Sequence, residues 1–363
     1  MPKVFVVGSR GIPDMEGGAE KSTERVFPLV ARRGYDVTVA GLPQYLTGDS
    51  YKGVTLWRAP ASQMLNTDKL AYFIAAVWYA ARKRPDIVHM TTLSAAVMVW
   101  AFRLVGCKTV VRFGSTDYQY PKWGKLGKFG FWLGMQQLRI SNATLAVTPS
   151  YKDLLAGKGI KRGVFVIQNA LDIAHAQTAL PESFPVKKSY VLTVCRITSV
   201  KNLIRLVEAF KIAAADKPEL TLALVGGLDD KEYVEELRGH LTPQIVLTGR
   251  IANSELGPLY ANAHLFVNSS LYEGSSNAVL EAISWDVPTV LSNIPGNVDV
   301  GLAEKHYFQF DDVPDMARVL RRGIEDRESV RVDRARFQSW DDVADKTVAM
   351  YRAIGVPPAG ERV

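Results

Sequence analysis

The chain has 363 residues, more than one ordinary hydrophobic core organises, so two domains are expected. Its composition, 47% apolar and 22% charged, is that of a globular chain without low-complexity tracts. The apolar run in "MPKVFVVGSR" is too short for a secretory signal, and the longest near-continuous apolar segment, Leu70 to Ala81, falls far short of a bilayer span. The net charge of +7 hides an asymmetry: residues 1–175 carry 23 Lys/Arg against 11 Asp/Glu, whereas residues 176–363 carry 21 against 26. One half is thus suited to an anionic ligand or surface that the other does not meet.

Apolar runs alternate with helical patterns from the first residues on. A strand over 3–8 ("KVFVVG") passes through a glycine-rich turn into a helix within 20–34, followed by a strand over 36–41 and a helix over 68–84. A strand over 86–90, a helix over 94–105 and strands over 109–114, 143–150 and 163–169 complete this half. Residues 169–189, with two prolines and no period, read as a linker. Alternation then restarts with strands over 190–198, 220–227, 244–250, 264–270 and 288–294, and helices over 202–216, 230–241, 253–263 and from about 277. Continuous Val/Ile-rich runs separated by helices imply parallel sheets covered on both faces, here two doubly wound α/β domains in series. Ligands of such sheets bind beyond the carboxyl ends of the strands, and in this arrangement also in the cleft between domains.

Four stretches could carry chemistry. In "GSRGIPDMEGGAEKSTERV" (8–26), Gly11, Gly17 and Gly18 lead into a helix start, where backbone N–H groups can approach an anion; the pattern is neither G-x-G-x-x-G nor a P-loop. In "VCRITSVKN" (194–202), Arg196 and Lys201 frame a short loop after a strand and could neutralise a diphosphate, or could be solvated surface cations. At the turn after "VLTG", the backbone of Arg250 and Ile251 could read the edge of a base, a geometry that any strand–turn–helix shares. Finally "LYEGSSNAVLEAISWDVPTV" holds Glu273 and Glu281. On one helix, eight steps would set these carboxylates roughly 80° apart, which is no coplanar catalytic pair. A helix starting after the N-cap candidates Ser275 and Ser276 instead places Glu273 on the loop and Glu281 about one turn in, both able to accept hydrogen bonds from ligand hydroxyls.

A metal site is not expected. His89, His175, His240, His264 and His306 show no ligand spacing, and Cys107 and Cys195, far apart in sequence, read as reduced thiols of a cytoplasmic protein. Residues 121–140, "PKWGKLGKFGFWLGMQQLRI", interleave Lys122, Lys125 and Lys128 with Trp123, Phe129, Phe131 and Trp132. The pattern suits an anionic membrane surface, and equally a helix that packs its aromatics inward and turns its lysines to water.

Taken together these motifs resemble the retaining GT-B glycosyltransferases of family 4 (glycosyl transferase group 1), over nearly the full length. The E-x(7)-E pattern from Glu273 to Glu281, followed by "AISWDVPTVLSN", is the most specific part; "GRIANSELGPLYANAHLFVNSSLYEG" fits the pattern before it. Residues 337–355 resemble the family's C-terminal helix, which crosses back onto the first domain. The resemblance implies an acceptor-binding domain over 1–172, a nucleotide-sugar domain over 173–340 and a returning helix over 341–363. "VGSRGIPDMEGGAE" and "DYQYPKW" (117–123) look most like a bacterial subgroup of rhamnosyltransferases and related polysaccharide enzymes.

By the same resemblance, Glu281 holds the donor ribose, and Glu273 with the backbone at Ser276, Asn277 and Ala278 holds hydroxyls of the transferred sugar. Arg196, Lys201 and the Gly17–Gly18 loop bind the diphosphate, while Arg250 and Ile251 meet the base. Many relatives carry His or Asp after the strand equivalent to 109–114, near C6 of the sugar; here the loop is Gly114-Ser115-Thr116-Asp117, so either Asp117 substitutes or the contact is absent, which favours a 6-deoxy sugar. The implied substrates are a UDP-, dTDP- or GDP-linked sugar and a lipid-linked glycan acceptor, with no metal, no cofactor and no nucleic acid, at the inner face of the cytoplasmic membrane. An epimerase of the same architecture would need more acid–base side chains than five histidines supply. A nicotinamide oxidoreductase would need the missing glycine fingerprint, and a non-catalytic binding protein would not need Arg196, Lys201 and Glu273.

Overall fold

A computed structural model describes the chain except for residues 16, 61–67, 116–123, 173–178, 187–188 and 362–363. It divides into two compact units, Met1–Asn169 with Gln338–Val363, and Ala170–Phe337. In the first unit the elements run β1 (Lys3–Val7), α1 (Gly18–Arg32), β2 (Asp36–Gly41), β3 (Ser50–Tyr51), β4 (Val54–Arg58), α2 (Asp68–Lys83), β5 (Ile87–Met90), α3 (Val99–Leu104), β6 (Lys108–Phe113), α4 (Lys125–Gln137), β7 (Ala143–Ala146), α5 (Pro149–Gly157) and β8 (Val164–Val166). The second contains β9 (Tyr190–Val194), α6 (Leu203–Ala213), β10 (Thr221–Val225), α7 (Lys231–Arg238), β11 (Ile245–Gly249), α8 (Asn253–Ala261) and β12 (Leu265–Asn268). It continues with α9 (Asn277–Ser284), β13 (Thr289–Ser292), α10 (Pro295–Val298), β14 (Tyr307–Phe308) and α11 (Val313–Glu325), after which α12 (Trp340–Ala353) rejoins the first unit.

The first sheet is ordered β3-β4-β2-β1-β5-β6-β7-β8 and the second β11-β10-β9-β12-β13-β14, parallel throughout except for the β3–β4 hairpin. Buried apolar strands such as Val4–Val7 and Leu222–Val225 explain why the sequence shows runs rather than alternation. Strand order reverses between β1 and β5 in one unit and between β9 and β12 in the other. Each reversal leaves the loops after those two strands diverging around a crevice, the usual place for a ligand.

Three departures from the sequence reading have local causes. Thr148 ends the strand predicted over 143–150, because its side chain accepts from the Tyr151 amide and Pro149 takes the first helical position of α5. The β3–β4 hairpin turns on Lys52 and Gly53, both at positive φ, as a two-residue connection demands. Residues read as linker contribute Leu171, Phe184 and Val186 to the core of the second unit, with the Phe184 ring 5.3 Å from Tyr190.

Helix α12 is fastened to the first unit by polar contacts. Ser339 and Asp342 form a reciprocal capping box, Arg33 of the α1 C-terminus meets Asp345 at 2.6 Å and Asp341 at 3.0 Å, and Tyr35 donates to the Val356 carbonyl at 2.8 Å. Below it the Tyr351 hydroxyl lies 2.7 Å from Nδ1 of buried His89. Burial, and after it the positive charge of Arg112, pushes the His89 imidazole down to about 3. The folded state therefore keeps His89 neutral where the unfolded chain takes up a proton, so this stability is complete above pH 6.5 and is lost as pH falls towards 3. Urea unfolding should lose about 1.4 kcal/mol per pH unit from this residue as pH falls from about 6 to 4, and His89→Gln should remove one proton from that slope. An unchanged slope in the variant would contradict a neutral buried imidazole.

Candidate functional site

In the second unit the crevice between β9 and β12 is lined by the two loops that follow those strands. The first, Cys195 to Asn202, is held to β10 by the Ile197 amide on the Gly227 carbonyl, then makes a single 3-10 turn over Ser199–Lys201. Asn202 ends that turn in the left-handed conformation and opens α6, its side chain donating to the Phe310 carbonyl at 2.7 Å. The second loop, 269–276, is stapled to the first: the Leu271 amide donates to the Val200 carbonyl at 2.9 Å, and the Ser269 hydroxyl to the Lys201 carbonyl at 2.7 Å.

This stapling brings Lys201 Nζ to 2.5 Å from Glu273 Oε1, with only 14% of either side chain exposed. The same carboxylate oxygen accepts from the Ser270 hydroxyl at 2.8 Å and lies 3.5 Å from Asn268 Nδ2. Burial works against both charges, yet the mutual attraction outweighs it: the Lys201 ammonium is held above its ordinary pKa and the Glu273 carboxyl below its own. At neutral pH the pair is therefore ionic, with Glu273 a multiply bonded acceptor.

Beneath the Glu273 loop lies a buried polar network. Asn268 Nδ2 reaches the Ser276 hydroxyl at 3.3 Å, and Asn297 Nδ2 donates to Asn268 Oδ1 at 3.2 Å and to the Ser292 hydroxyl at 2.9 Å. The Ser292 hydroxyl donates in turn to the Ser270 carbonyl at 2.7 Å. Gly296 leaves room for this arrangement, since a Cβ there would overlap the Glu273 and Gly274 carbonyls. Ser276 is the N-cap of α9, as expected, but its hydroxyl is engaged by Asn268 and does not cap the helix. Asn277 and Ala278 form the first turn of α9. Glu281 follows one turn in, and its Oε2 accepts from the buried Tyr260 hydroxyl at 2.8 Å.

The remaining predicted residues of this unit are less enclosed. Arg196 is exposed and makes no ion pair with a carboxylate of the described residues. Arg250, after β11, lies 3.6 Å from Asp229 with both side chains largely in solvent, and Ile251 packs on the β9–β12 core.

The glycine loop of the first unit follows β1, at that sheet's reversal. Gly17 is the N-cap of α1 at φ +126, and a Cβ there would overlap the Glu20 carboxylate. Glu20 folds back from the first turn of α1 to accept from the Arg10 amide at 3.2 Å and the Arg10 Nε at 3.1 Å. The positive end of α1, from Gly18 on, thus already faces a carboxylate of its own chain. On β6, Arg112 is 8% exposed, and burial lowers its guanidinium to about 10 against the opposing charge of Glu20. Gly114 lies on this guanidinium so closely that a Cβ would overlap it. Asp117, Lys122 and Trp123 lie outside the described residues. Lys125, Lys128 and Trp132 are exposed on α4.

Among the described residues, no group of three or more His, Cys, Asp and Glu could hold a metal ion, and no helix is long and apolar enough to cross a membrane.

Comparison with known proteins assigns both units. Residues 16–175 match the family model described as Glycosyltransferase Family 4, and residues 188–326 the model described as Glycosyl transferases group 1. Among curated proteins, the chain is similar to Glycosyltransferase 1 domain-containing protein 1 of Xenopus tropicalis, 34% identical over 30% of this chain and 32% of that protein. It is similar to a subunit of the phosphatidylinositol N-acetylglucosaminyltransferase of Arabidopsis thaliana, 26% identical over 52% of this chain and 43% of that protein. The chain thus spans less than half the length of these two relatives. A longer match is the lipopolysaccharide core biosynthesis glycosyltransferase LpsE of Rhizobium meliloti, 23% identical over 77% of each chain. Among solved structures, sucrose-phosphate synthase from Thermosynechococcus elongatus shares the fold with a TM-score of 0.74 at 18% identity, over 97% of this chain and 96% of that one. Anabaena HepE in complex with UDP and glucose does so at 0.68 and 16%, over 97% and 95%. The two parallel-sheet domains are those of the GT-B fold.

The buried pair makes a thermodynamic prediction. Lys201→Met or Glu273→Gln alone strands one charge and should each cost about 3–5 kcal/mol of stability in urea denaturation. The double variant should lose clearly less than the sum. Strictly additive losses would show that the two side chains are not coupled.

Proposed function

We propose that the chain is a family 4, group 1 glycosyltransferase that moves a sugar from a nucleoside diphosphate sugar to a glycan or lipid-linked acceptor in cell-surface polysaccharide synthesis. The observation that carries this reading is the Lys201–Glu273 pair, at the carboxyl ends of the two strands between which the second sheet reverses. An ammonium has three donors. With one on Glu273, the others are available to a diphosphate that Arg196, nearby and exposed, would also meet. In this proposal Glu273 and the first-turn amides of α9 orient hydroxyls of the sugar, Glu281 takes the ribose, and the backbone at Arg250 and Ile251 meets the base. For the Gly17–Gly18 turn to take its part on the diphosphate, the ligand must displace the Glu20 carboxylate from the start of α1; Asp117 keeps its part near the sugar. The donor is UDP-, dTDP- or GDP-linked. Should Asp117 not take that part, the contact is absent and a 6-deoxy sugar such as rhamnose is the donor that tolerates the loss.

The reaction is proposed to proceed with retention and without a metal. The bond between the anomeric carbon and the diphosphate oxygen breaks through an oxocarbenium-like state, and negative charge grows on the leaving group. Fixed cations at Arg196 and Lys201 stabilise that charge without reorganising. The acceptor hydroxyl attacks from the same face and passes its proton to the departing phosphate oxygen, so no enzyme nucleophile is consumed. The relatives active on lipopolysaccharide core and phosphatidylinositol support a lipid-linked acceptor, and with it a peripheral position on the cytoplasmic face of a membrane.

Arg196→Ala, which touches no buried contact, should lower turnover by about 10²-fold through roughly 3 kcal/mol of lost charge stabilisation, with little effect on melting temperature. Near-normal turnover would remove Arg196 from the diphosphate. In thermal-shift assays UDP, GDP or dTDP should stabilise the protein and NAD should not. Stabilisation by NAD alone would favour an oxidoreductase. If Glu281 grips the ribose from a position set by Tyr260, Tyr260→Phe should weaken binding of the preferred ribonucleotide several-fold and leave its 2′,3′-dideoxy analogue unaffected. Equal losses for both would make the Tyr260 contact purely structural.

A further inference from the structure

The first unit carries a surface that the donor chemistry does not use. On α3, Trp100 and Leu104 stand one turn apart, 50% and 77% exposed, and share a face. On α4, Phe129 and Trp132 are likewise exposed, their rings stacked with centroids 5.7 Å apart. Ile140 completes the set, so five of the eleven large hydrophobic side chains exposed among the described residues fall between positions 100 and 140. This concentration is not the scatter of single apolar residues that any surface shows.

Two grooves connect these side chains. One, of about 630 Å³, runs between Trp100, Leu104 and Ile140, with Arg103 and Arg139 in its wall. The other, of about 430 Å³, lies along α4 at Trp132 and Met135, with Lys128, Lys158 and again Arg139. Arg139 belongs to both, so the patch is continuous. Its cations are held by neutral groups: Arg103 donates to the Ile140 carbonyl at 2.5 Å, and Arg139 to the Lys158 carbonyl at 2.7 Å and the Gln136 side chain at 3.0 Å. Among the described residues no carboxylate pairs with Arg103, Lys125, Lys128 or Arg139. Across residues 70–141 the sequence sets ten Lys/Arg against two Asp/Glu. Of these, Arg103, Lys125, Lys128 and Arg139 lie at or beside the apolar patch.

We infer that the α3–α4 face docks on an anionic lipid bilayer, with Trp100, Leu104, Phe129 and Trp132 entering the interface and Arg103, Lys125, Lys128 and Arg139 meeting the headgroups. This locates the membrane contact of the proposed function and rests on that reading only for its purpose, not for its geometry. Exposed tryptophans beside lysines and arginines match the two layers of such a surface, apolar acyl boundary and negative headgroups. A second copy of the chain is a poor occupant, because a two-fold contact sets each residue near its own counterpart and would oppose like charges. Helix α2, packed beside α3, also carries exposed Ile74 and Trp78, with the Arg82 guanidinium 4.5 Å from the centre of the Trp78 ring.

The test is co-sedimentation of the full chain with vesicles of phosphatidylcholine alone or mixed with phosphatidylglycerol, at low and high salt. Wild type should bind the mixed vesicles, release at high salt and bind pure phosphatidylcholine at least about tenfold more weakly. The triple variant Trp100→Ala/Leu104→Ala/Trp132→Ala and the pair Lys125→Glu/Lys128→Glu should each lower partitioning about tenfold or more. Both should keep the wild-type melting temperature and its shift with the stabilising nucleoside diphosphate. The charge pair alters exposed positions only and decides the matter if the triple variant fails to fold. Equal binding to both vesicle types, or variants that bind like wild type, would overturn the inference. So would salt-sensitive binding to RNA without vesicle binding, or a concentration-dependent dimer that the charge pair abolishes. If no nucleoside diphosphate shifts wild type, the donor reading fails while the vesicle result still decides this one.

Discussion

A lysine and a glutamate 2.5 Å apart and mostly out of water persist only while both stay charged, because either one alone would be a stranded ion. Much of the second unit follows from that requirement. The loop after β9 must end at Lys201 in a turn tight enough to be continued by left-handed Asn202. The loop after β12 must bring Glu273 back over the strand end, and the Val200–Leu271 and Lys201–Ser269 contacts hold the two together. Underneath, Asn268, Ser270, Ser292 and Asn297 are joined to one another and fix the height of the Glu273 loop, with Asn297 Oδ1 left without a partner among the described residues. A network of this kind is stiff when complete and expensive when broken. It suits a site that must keep charges in place without water.

The two units treat their sheet reversals differently. In the first, the Glu20 carboxylate already occupies the positive end of α1 and ties down Arg10, so the glycine loop is internally neutralised. In the second, Arg196 stands in solvent beside the Lys201–Glu273 pair, available to an incoming anion. The positive charge of the first half is accordingly not concentrated at its glycine loop. Part of it lies instead on the outer helices, at Arg103 of α3 and at Lys125 and Lys128 of α4.

The sheets were legible in the sequence because their strands are buried on both faces and read as Val/Ile runs. The β3–β4 hairpin was not, since Val54 and Leu56 alternate with exposed Thr55 over too short a span, and the turn that makes it depends on Lys52 adopting positive φ. Glu273, Arg196 and Lys201 stood out because charged residues after strand ends break an apolar pattern, and Glu281 by its spacing from Glu273. Their supports did not. Tyr260 sits in the helical pattern of α8 like any core aromatic, and only the structure shows its hydroxyl on Glu281. Asn297 lies nearly thirty positions from Asn268, and a serine–asparagine network assembled from β12 and its following loop, β13 and α10 leaves no spacing to read. The segment around Phe184 was misjudged for a related reason: irregular chain can supply core side chains without any period.

The structure also bears on what Glu273 could do in a transfer reaction. Its Oε1 is shared among Lys201, Ser270 and Asn268, and the net effect holds the carboxyl below its ordinary pKa. Each donor that stabilises a carboxylate takes from its basicity, and a weak base on a buried lysine is a poor proton acceptor. The same stabilisation opposes attack on carbon, because forming a glycosyl ester would discharge Glu273 and leave the Lys201 ammonium buried without its counter-ion. On the proposed reading, therefore, the two partners depend on each other through the whole reaction. Glu273 keeps Lys201 charged and aimed, and Lys201 keeps Glu273 an acceptor for hydroxyls, so the barrier must be lowered at the leaving group.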